Sequence, residues 1–184
     1  MRIKITRPQE KDTEEIRRLF SAAIADAFAQ DGIAFRQEGI DTEVEKQMRF
    51  LLQDFETKGR DLYFLLARTD EKIVGTIAYC TVDNNDLIKS HLQIDFRQVP
   101  EVTTVYVLPE FQGKGVGSLL WNAILISLLH QNVQEICLDG GYKKSQSFWI
   151  KRAGQPVVTL TDYWGPGLDH MIWRCRLHDL PIQF

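Results

Sequence analysis

The chain contains little cysteine and little histidine, and neither is spaced as a metal site requires. The three cysteines, Cys80, Cys137 and Cys175, are far apart and each lies in an apolar run. An odd number of cysteines in such settings favours buried thiols over a disulfide framework, and a reducing compartment. Because the four histidines are scattered, we expect no metal cofactor.

An excess of positive charge and long hydrophobic runs are also missing. Lys and Arg number 22 against 25 Asp and Glu, for a net charge of −3. This balance provides no electrostatic footprint for nucleic acid, so we expect no nucleic-acid partner. No apolar run approaches the length of a membrane span, and MRIKITRPQE at the N-terminus lacks the apolar core of a signal peptide. We therefore expect a cytoplasmic protein without a membrane partner.

Repeats, low-complexity segments and linker-like stretches are absent from the sequence, which predicts a single domain over residues 1–184. Apolar residues at helical spacing predict two helices before residue 60, with capping boxes at Asp12 and Glu15 and at Thr42 and Glu45. Apolar runs predict strands, and polar residues 81–100 are interpreted as a loop. The predicted order is β-α-α-β-β-β-α-β-α-β-β, an α/β (α+β) fold around a mixed, mostly antiparallel sheet.

The stretch VYVLPEFQGKGVGSLLWNAI, residues 105–124, joins a strand to an apolar helix through a glycine-rich turn. Gly113, Gly115 and Gly117 alternate with other residues, and Lys114 lies between the first two. The first N–H groups of a helix have no partner within it and carry the positive end of its dipole. Glycine leaves such groups accessible to an anion. The turn therefore predicts a phosphate site.

Two nucleotide motifs fit this turn poorly. A P-loop requires Ser or Thr after Gly-Lys, but Gly115 follows Lys114. A dinucleotide fold requires G-x-G-x-x-G directly after the strand, whereas Leu120 occupies the third glycine position and residues 108–112 intervene. Asp139 is in a position to act as the acid that binds the ribose, so a nicotinamide-dinucleotide site remains an alternative.

A third motif fits better. Gln112, Gly115 and Gly117 occupy the fixed positions of Q/R-x-x-G-x-G/A, the acetyl-CoA signature of the GNAT superfamily of N-acetyltransferases. The preceding Val-x-Pro-Glu-aromatic turn is also typical, and the predicted element order is similar over nearly the whole chain. The sequence thus resembles this superfamily. The resemblance implies the GNAT fold and direct transfer of an acetyl group from acetyl-CoA to a primary amine in a ternary complex.

The resemblance also assigns roles along the strand and the turn. The strand before the motif is expected to diverge from its neighbour so that pantetheine fits between them, with the pyrophosphate on the N–H groups of the turn. The implied acetyl-CoA contacts are Tyr106, Val107, Gln112, Gly113, Lys114, Gly115, Val116, Gly117 and Ser118.

Glu101 begins this strand at the distance from the glycines at which the histone-acetylating branch has its general base. The backbone N–H of Tyr106 or Val107 resembles the usual oxyanion donor. The family's general-acid tyrosine is missing, because Ile150 stands in its place. Tyr142, Ser147 and Tyr163 are alternatives, and a thiolate leaving group of pKa ~8.5 needs little assistance.

The missing tyrosine keeps a second interpretation open, a non-catalytic module that binds CoA for regulation. For the enzyme, the expected acceptor is a small-molecule or peptide amine. Tyr163 and Trp164 are expected either to line the acceptor site or to cap the sheet. The other tryptophans, Trp121, Trp149 and Trp173, are expected in the core. Dimers are common in the superfamily, which leaves a homodimer open.

Overall fold

The computed structural model describes residues 1–83 and 85–182. The helices and strands are β1 (Lys4–Thr6), α1 (Thr13–Gln30), α2 (Gln37–Thr57), β2 (Leu62–Arg68), β3 (Ile73–Cys80), α3 (Asp86–Leu92), β4 (Glu101–Val107), α4 (Val116–His130), β5 (Glu135–Gly140), α5 (Lys143–Ala153), β6 (Val158–Leu160) and β7 (His170–Arg176). Apart from α3, this is the predicted order. Among these residues, no helix has both the length and the hydropathy that crossing a bilayer requires.

A seven-stranded sheet in the order β1-β2-β3-β4-β5-β7-β6 forms the centre of the fold. Its neighbouring strands are antiparallel except β4 and β5, which confirms the predicted mixed, mostly antiparallel sheet. Within the described residues, the β4–β5 register holds a single pair, Glu101 opposite Cys137. The strands part after this pair and leave a wedge in the middle of the sheet.

The two faces of the sheet carry separate hydrophobic cores. On one face, α4 and α5 bring the rings of Trp121 and Trp149 to 5.2 Å from each other, and Trp173 is buried in the same core. On the other face, α1 and α2 pack against β2 and β3 around Phe20 and Phe64. The prediction of three core tryptophans is therefore confirmed. The three cysteine side chains are buried and form no disulfide with one another, also as predicted.

The predicted start of the second helix is wrong. α2 begins at Gln37, so Thr42 lies inside it and its hydroxyl donates to the Glu38 carbonyl oxygen at 2.7 Å. Glu45 instead forms an ion pair with Arg17 of α1 at 2.5 Å. The contacts between α1 and α2, rather than local capping, determine where this helix lies.

The predicted capping box of α1 is wrong for a similar reason. The Asp12 carboxylate accepts from the backbone N–H of Gln9 at 2.8 Å and forms an ion pair with Arg68. Glu15 Oε1 accepts from the N–H of Ile73 at 2.7 Å. Both side chains hold α1 to neighbouring segments instead of capping it.

The interpretation of residues 81–100 as a loop missed α3, a helix of seven residues. It begins after Asn85, whose Oδ1 accepts from the N–H of Ile88 at 3.1 Å. Ile88 is buried in a small core with Phe96 and Val99. A helix of only two turns shows too few apolar positions for its period to be recognised, so the cap was its one local signal.

A buried ion pair connects the N-terminal segment to α2 and β2. Asp54 is 1% exposed, and its Oδ1 accepts from Arg7 Nη2 at 2.6 Å and from the Phe64 N–H at 3.0 Å. We expect Asp54→Ala to lower the free energy of unfolding by about 1–3 kcal/mol, because it leaves the buried N–H of Phe64 without its acceptor. Urea denaturation measures this change.

The control is Asp70→Ala, which removes an exposed pair with Lys4. Its expected cost is within about 1 kcal/mol. Equal costs for the two variants would show that the Asp54 contacts do not stabilise the fold.

Candidate active site

One cavity of about 1470 Å³ follows the wedge between β4 and β5. Gly113, Gly115 and Ser118 line one part of it, whereas Glu101 and Asp139 line another. The glycine turn and the candidate base, although 12 or more residues apart in sequence, therefore open into the same space. This space is large enough for a cosubstrate and an acceptor together.

At the glycine end, the backbone turns sharply into α4. Gly113 and Gly115 have φ of 71° and 83°, a left-handed conformation that favours glycine. A Cβ built on either would meet no described atom within 4 Å. Gly115 is the N-cap of α4, and no described side chain caps this helix. The N–H groups of its first turn thus remain open to an anion.

Two cations from α5 lie close to this turn. Lys144 Nζ donates to Gln112 Oε1, and Arg152 Nη2 donates to Ser118 Oγ in the first turn of α4. Positive charge at the start of α4 strengthens the attraction for phosphate. Sequence reasoning missed both residues, because α5 comes about 30 residues after the motif and only the fold brings it there.

Most of the expected acetyl-CoA contacts line the cavity. The lining includes Tyr106, Val107, Gln112, Gly113, Gly115, Gly117 and Ser118. Lys114 and Val116 instead line a smaller neighbouring cavity together with Met1 and Ile3. Gln112 Nε2 donates to the Val107 carbonyl oxygen at 3.0 Å and to Asp26 Oδ2 at 3.2 Å. Gln112 therefore ties the turn to β4 and α1.

A β-bulge bends β4 where it leaves β5. The register with β3 shifts between Thr76 and Ala78, and Thr104 has a φ of 58°. This conformation is uncommon for a β-branched residue. The Thr76 hydroxyl donates to the Thr104 carbonyl oxygen at 2.9 Å in the buried interior. Such bulges bend a strand and reorient the residues after it, here Tyr106 and Val107.

At the other end of the wedge, a buried carboxyl group, Glu101, and a half-buried one, Asp139, share one donor. Asn85 Nδ2 donates to Glu101 Oε1 at 2.9 Å and to Asp139 Oδ2 at 3.0 Å. Burial, and then the negative charge of Asp139, raise the pKa of Glu101 to about 8. Burial acts in the same direction on Asp139, but hydrogen bonds from His170 and Asn85 hold its pKa below the ordinary value. Asp139 is thus the charged member of the pair, and Glu101 exchanges a proton near neutral pH.

His170 and Trp164 complete this cluster. His170 Nε2 lies 3.1 Å from Asp139 Oδ2, and Trp164 Nε1 donates to His170 Nδ1 at 3.0 Å. Trp164 also lines the cavity together with Tyr163. This position is compatible with the first of the two expected roles for this loop, which was lining the acceptor site. The sequence offered no signal for His170, because its partners lie in distant segments.

Two tyrosines of the cavity, Tyr106 and Tyr142, have raised pKa values and keep their protons at neutral pH. Burial raises the pKa of Tyr106 well above its ordinary value, and its hydroxyl donates to Glu43 Oε1 at 3.0 Å. Burial also raises the pKa of Tyr142, which lines the cavity. Ser147 lies outside the cavity lining and donates to the Lys143 carbonyl oxygen at 3.0 Å. Of the alternatives for a general acid, Tyr142 and Tyr163 therefore face this space.

Within the part of the chain that the structure describes, no three His, Cys, Asp or Glu side chains come together as they would to hold a metal. The expectation of a reaction without a metal remains a prediction.

Solved structures of similar fold come from several organisms. A PaiA N-acetyltransferase from Thermoplasma acidophilum, solved with coenzyme A, is 20% identical with a TM-score of 0.71, over 96% of this chain and 99% of that one. YncA from Salmonella typhimurium, solved with its cofactor acetyl-CoA, is 13% identical with a TM-score of 0.65, over 96% of this chain and 95% of that one. A ribosomal-protein-alanine N-acetyltransferase from Brucella melitensis is 17% identical with a TM-score of 0.66, over 94% and 99%.

These TM-scores show a shared fold and, at such low identities, nothing further. No curated protein matches the sequence. The profile of the acetyltransferase (GNAT) family, however, matches residues 17–154, which include the strand, the glycine turn and α4. The chain therefore belongs to the GNAT family of acetyltransferases.

Proposed function

We propose that the protein is an N-acetyltransferase that transfers an acetyl group directly from acetyl-CoA to a primary amine in a ternary complex. One observation carries the proposal: a single cavity joins an open helix N-terminus to a buried carboxyl group of pKa about 8. The relatives add support, because PaiA was solved with coenzyme A and YncA with acetyl-CoA.

The cosubstrate is proposed to lie along the wedge. Its pyrophosphate would accept hydrogen bonds from the first N–H groups of α4, with Arg152 and Lys144 adding positive charge. Pantetheine would follow β4 toward Glu101, in the gap where β4 and β5 have parted. The backbone groups of β4 that face this gap can pair with the pantetheine amides as they would with a strand.

Acyl transfer then requires a base. An alkyl ammonium has a pKa of ~10.4, so only about one molecule in a thousand is neutral at pH 7. Glu101 is proposed to accept one proton from the bound ammonium, which frees the nitrogen lone pair to attack the thioester carbonyl carbon. The second proton lost from nitrogen as the amide forms would go to the departing sulfur or to water. The N–H of Tyr106 or Val107 would donate to the oxyanion. Collapse breaks the carbon–sulfur bond, and the thiolate leaves at a pKa of ~8.5, with Tyr142 or Tyr163 available as proton donors.

The acceptor is proposed to be a small-molecule or peptide amine. The carboxylates of Glu43 and Asp139 line the same cavity as Glu101 and favour a cationic substrate. The proposal includes a cytoplasmic location and no nucleic-acid or membrane partner. A homodimer is compatible with it.

A regulatory module that binds CoA without turnover is the second candidate. The observation in its favour is Ile150, which packs against the core where the family's general-acid tyrosine is expected. A nicotinamide-dinucleotide site is the weaker alternative, because Leu120 is fully buried at the position of the third glycine.

Thermal melting with acetyl-CoA, CoA, NAD or ATP separates these candidates. A ligand at a hundredfold its Kd adds about 2.7 kcal/mol, or roughly 5–10 °C for a protein of this size. We expect this rise with acetyl-CoA and CoA, and release of free thiol when amines are added. A rise without turnover of any amine would favour the regulatory module. A rise with NAD or ATP alone would contradict acetyl-CoA binding.

A further inference from the structure

A chain of four hydrogen bonds reaches Glu101 from the cavity wall. Trp164 Nε1 donates to His170 Nδ1 at 3.0 Å, and His170 Nε2 lies 3.1 Å from Asp139 Oδ2. Asn85 Nδ2 donates to that same oxygen at 3.0 Å and to Glu101 Oε1 at 2.9 Å. Glu101 is 3% and His170 is 6% exposed, whereas the side chain of Asp139 is 25% exposed and Trp164 is 50% exposed. The bond at Glu101 is therefore the one most protected from water.

The direction of each bond follows from its donor. An indole N–H can only donate, so His170 Nδ1 must be an acceptor. An imidazolium has N–H groups at both positions and could not accept this bond. In this arrangement His170 donates to Asp139 through a proton on Nε2. Asp139 Oδ2 thus accepts two hydrogen bonds, which favour the ionised carboxylate.

Two other ionisable groups near Glu101 do not supply the negative charge that Asp139 supplies. Lys46 of α2 lines the cavity and its charge acts in the opposite direction, lowering the pKa of Glu101. Cys137, opposite Glu101 in β5, is buried, and its raised thiol pKa keeps it neutral. Asp139 is thus the charge that strengthens proton binding by Glu101.

We propose that Trp164, His170 and Asp139 are positioning residues that hold a negative charge beside Glu101 and thereby make it a stronger base. The inference rests on the proposed function, in which Glu101 accepts the proton of the amine. Trp164 and His170 act by keeping Asp139 charged and in place, and Asn85 fixes the distance between the two carboxyl groups.

The test compares pH profiles of kcat for the unmodified protein, Asp139→Asn and Trp164→Phe. In Asp139→Asn, the amide oxygen can occupy the position of Oδ2 and keep both hydrogen bonds, so mainly the charge is lost. We expect the midpoint of the profile to move to lower pH by about one unit or more. Trp164→Phe removes the hydrogen bond that fixes the His170 ring against Asp139, and we expect the midpoint to shift in the same direction by a smaller amount.

Asp179→Asn is the matched control. Asp179 forms a similar pair with His178 at 2.9 Å, but both side chains are more than 60% exposed and lie outside the cavity lining. We expect its midpoint to equal that of the unmodified protein. If Asp139→Asn and Trp164→Phe lower kcat but leave the midpoint unchanged, the chain is only structural and the proposal is wrong.

Melting of the ligand-free protein tests the same inference without turnover. Two neighbouring negative charges destabilise the fold once Glu101 ionises, so the Tm of Asp139→Asn relative to the unmodified protein should rise between pH 6 and pH 9. If the Tm of the two proteins changed by the same amount between pH 6 and pH 9, the proposal would be wrong. Failure to acetylate any amine would instead count against the proposed function, and the melting curves would still decide on the chain.

Discussion

Replacement of Glu101 by glutamine is expected to lower kcat at neutral pH by about 10²- to 10⁴-fold, the usual contribution of a positioned general base. Glutamine keeps the size of the side chain, and its Oε1 can still accept from Asn85 Nδ2, which lies 2.9 Å from Glu101 Oε1. The Kd for acetyl-CoA should remain nearly unchanged, because the phosphates bind at the other end of the cavity. Steady-state kinetics and calorimetric titration measure the two quantities.

The pH dependence of the reaction adds a second signature. Glu101 has a pKa of about 8 in the ligand-free protein, and the profile of kcat reports its pKa in the ternary complex. We expect kcat to rise about tenfold per pH unit below that pKa, as the fraction of ionised base rises, and to level off above it. In Glu101→Gln, this rise of kcat with pH should disappear. Equal losses of kcat and of acetyl-CoA affinity, with kcat still rising with pH, would instead indicate a structural role for Glu101.

The stability of the folded protein should fall with pH, whereas kcat rises with pH. A raised pKa means that folded Glu101 holds a proton that the unfolded chain has already released, so stability falls as pH rises from about 4.5 to 8. The glutamine variant cannot ionise and should gain in Tm relative to the unmodified protein across this range. A higher Tm at pH 9 together with low activity would show that the loss is catalytic and not a failure to fold.

Gly115→Glu is expected to weaken CoA binding by at least 100-fold. The new side chain would enter the open space above the N-terminus of α4, where a Cβ added to this glycine has no described atom within 4 Å. A carboxylate about 4 Å from a phosphate charge costs roughly 4 kcal/mol at an effective dielectric constant of about 20. Glutamate would also be strained at a φ of 83°, which glycine adopts without strain. Calorimetric titration with CoA measures the effect.

Gly32→Glu serves as the matched control for strain and charge. Gly32 has a φ of 74°, and a Cβ there would also meet no described atom within 4 Å. The N–H of Ile33 donates to the Phe28 carbonyl oxygen at 2.9 Å across this turn, which gives it the left-handed geometry of a helix C-terminus. We expect a similar loss of Tm but unchanged CoA affinity. CoA binding retained by Gly115→Glu would mean that the phosphates lie elsewhere.

The parts of the site that could be predicted are those encoded by neighbouring residues. Gly113 and Gly115 indicated an anion site because the turn and the start of α4 depend on local geometry alone. Arg152 could not be assigned to that site, because its position depends on how α5 packs against α4. The same holds for His170, whose partners Asp139 and Trp164 come together only when β5, β7 and the loop between β6 and β7 are assembled.

Two errors came from polar residues that have tertiary partners. Glu15 and Thr42 fit local capping patterns, but Glu15 binds the N–H of Ile73, and Thr42 lies within α2. Asn85 was missed for the opposite reason, since it lies in a segment interpreted as a loop. Its amide both caps α3 and bridges Glu101 and Asp139, and only the cap is a local property.

The parting of β4 from β5 creates an edge strand inside the molecule, with a consequence for self-association. Exposed edge strands invite pairing with other chains and are a common origin of aggregation. Here Val105 and Val107 pack toward the α4 core, and Tyr106 packs toward the α1–α2 core, so both faces of β4 are covered. Because the free edge lies inside the molecule, it is less accessible to a second polypeptide chain than an edge strand at the border of the sheet.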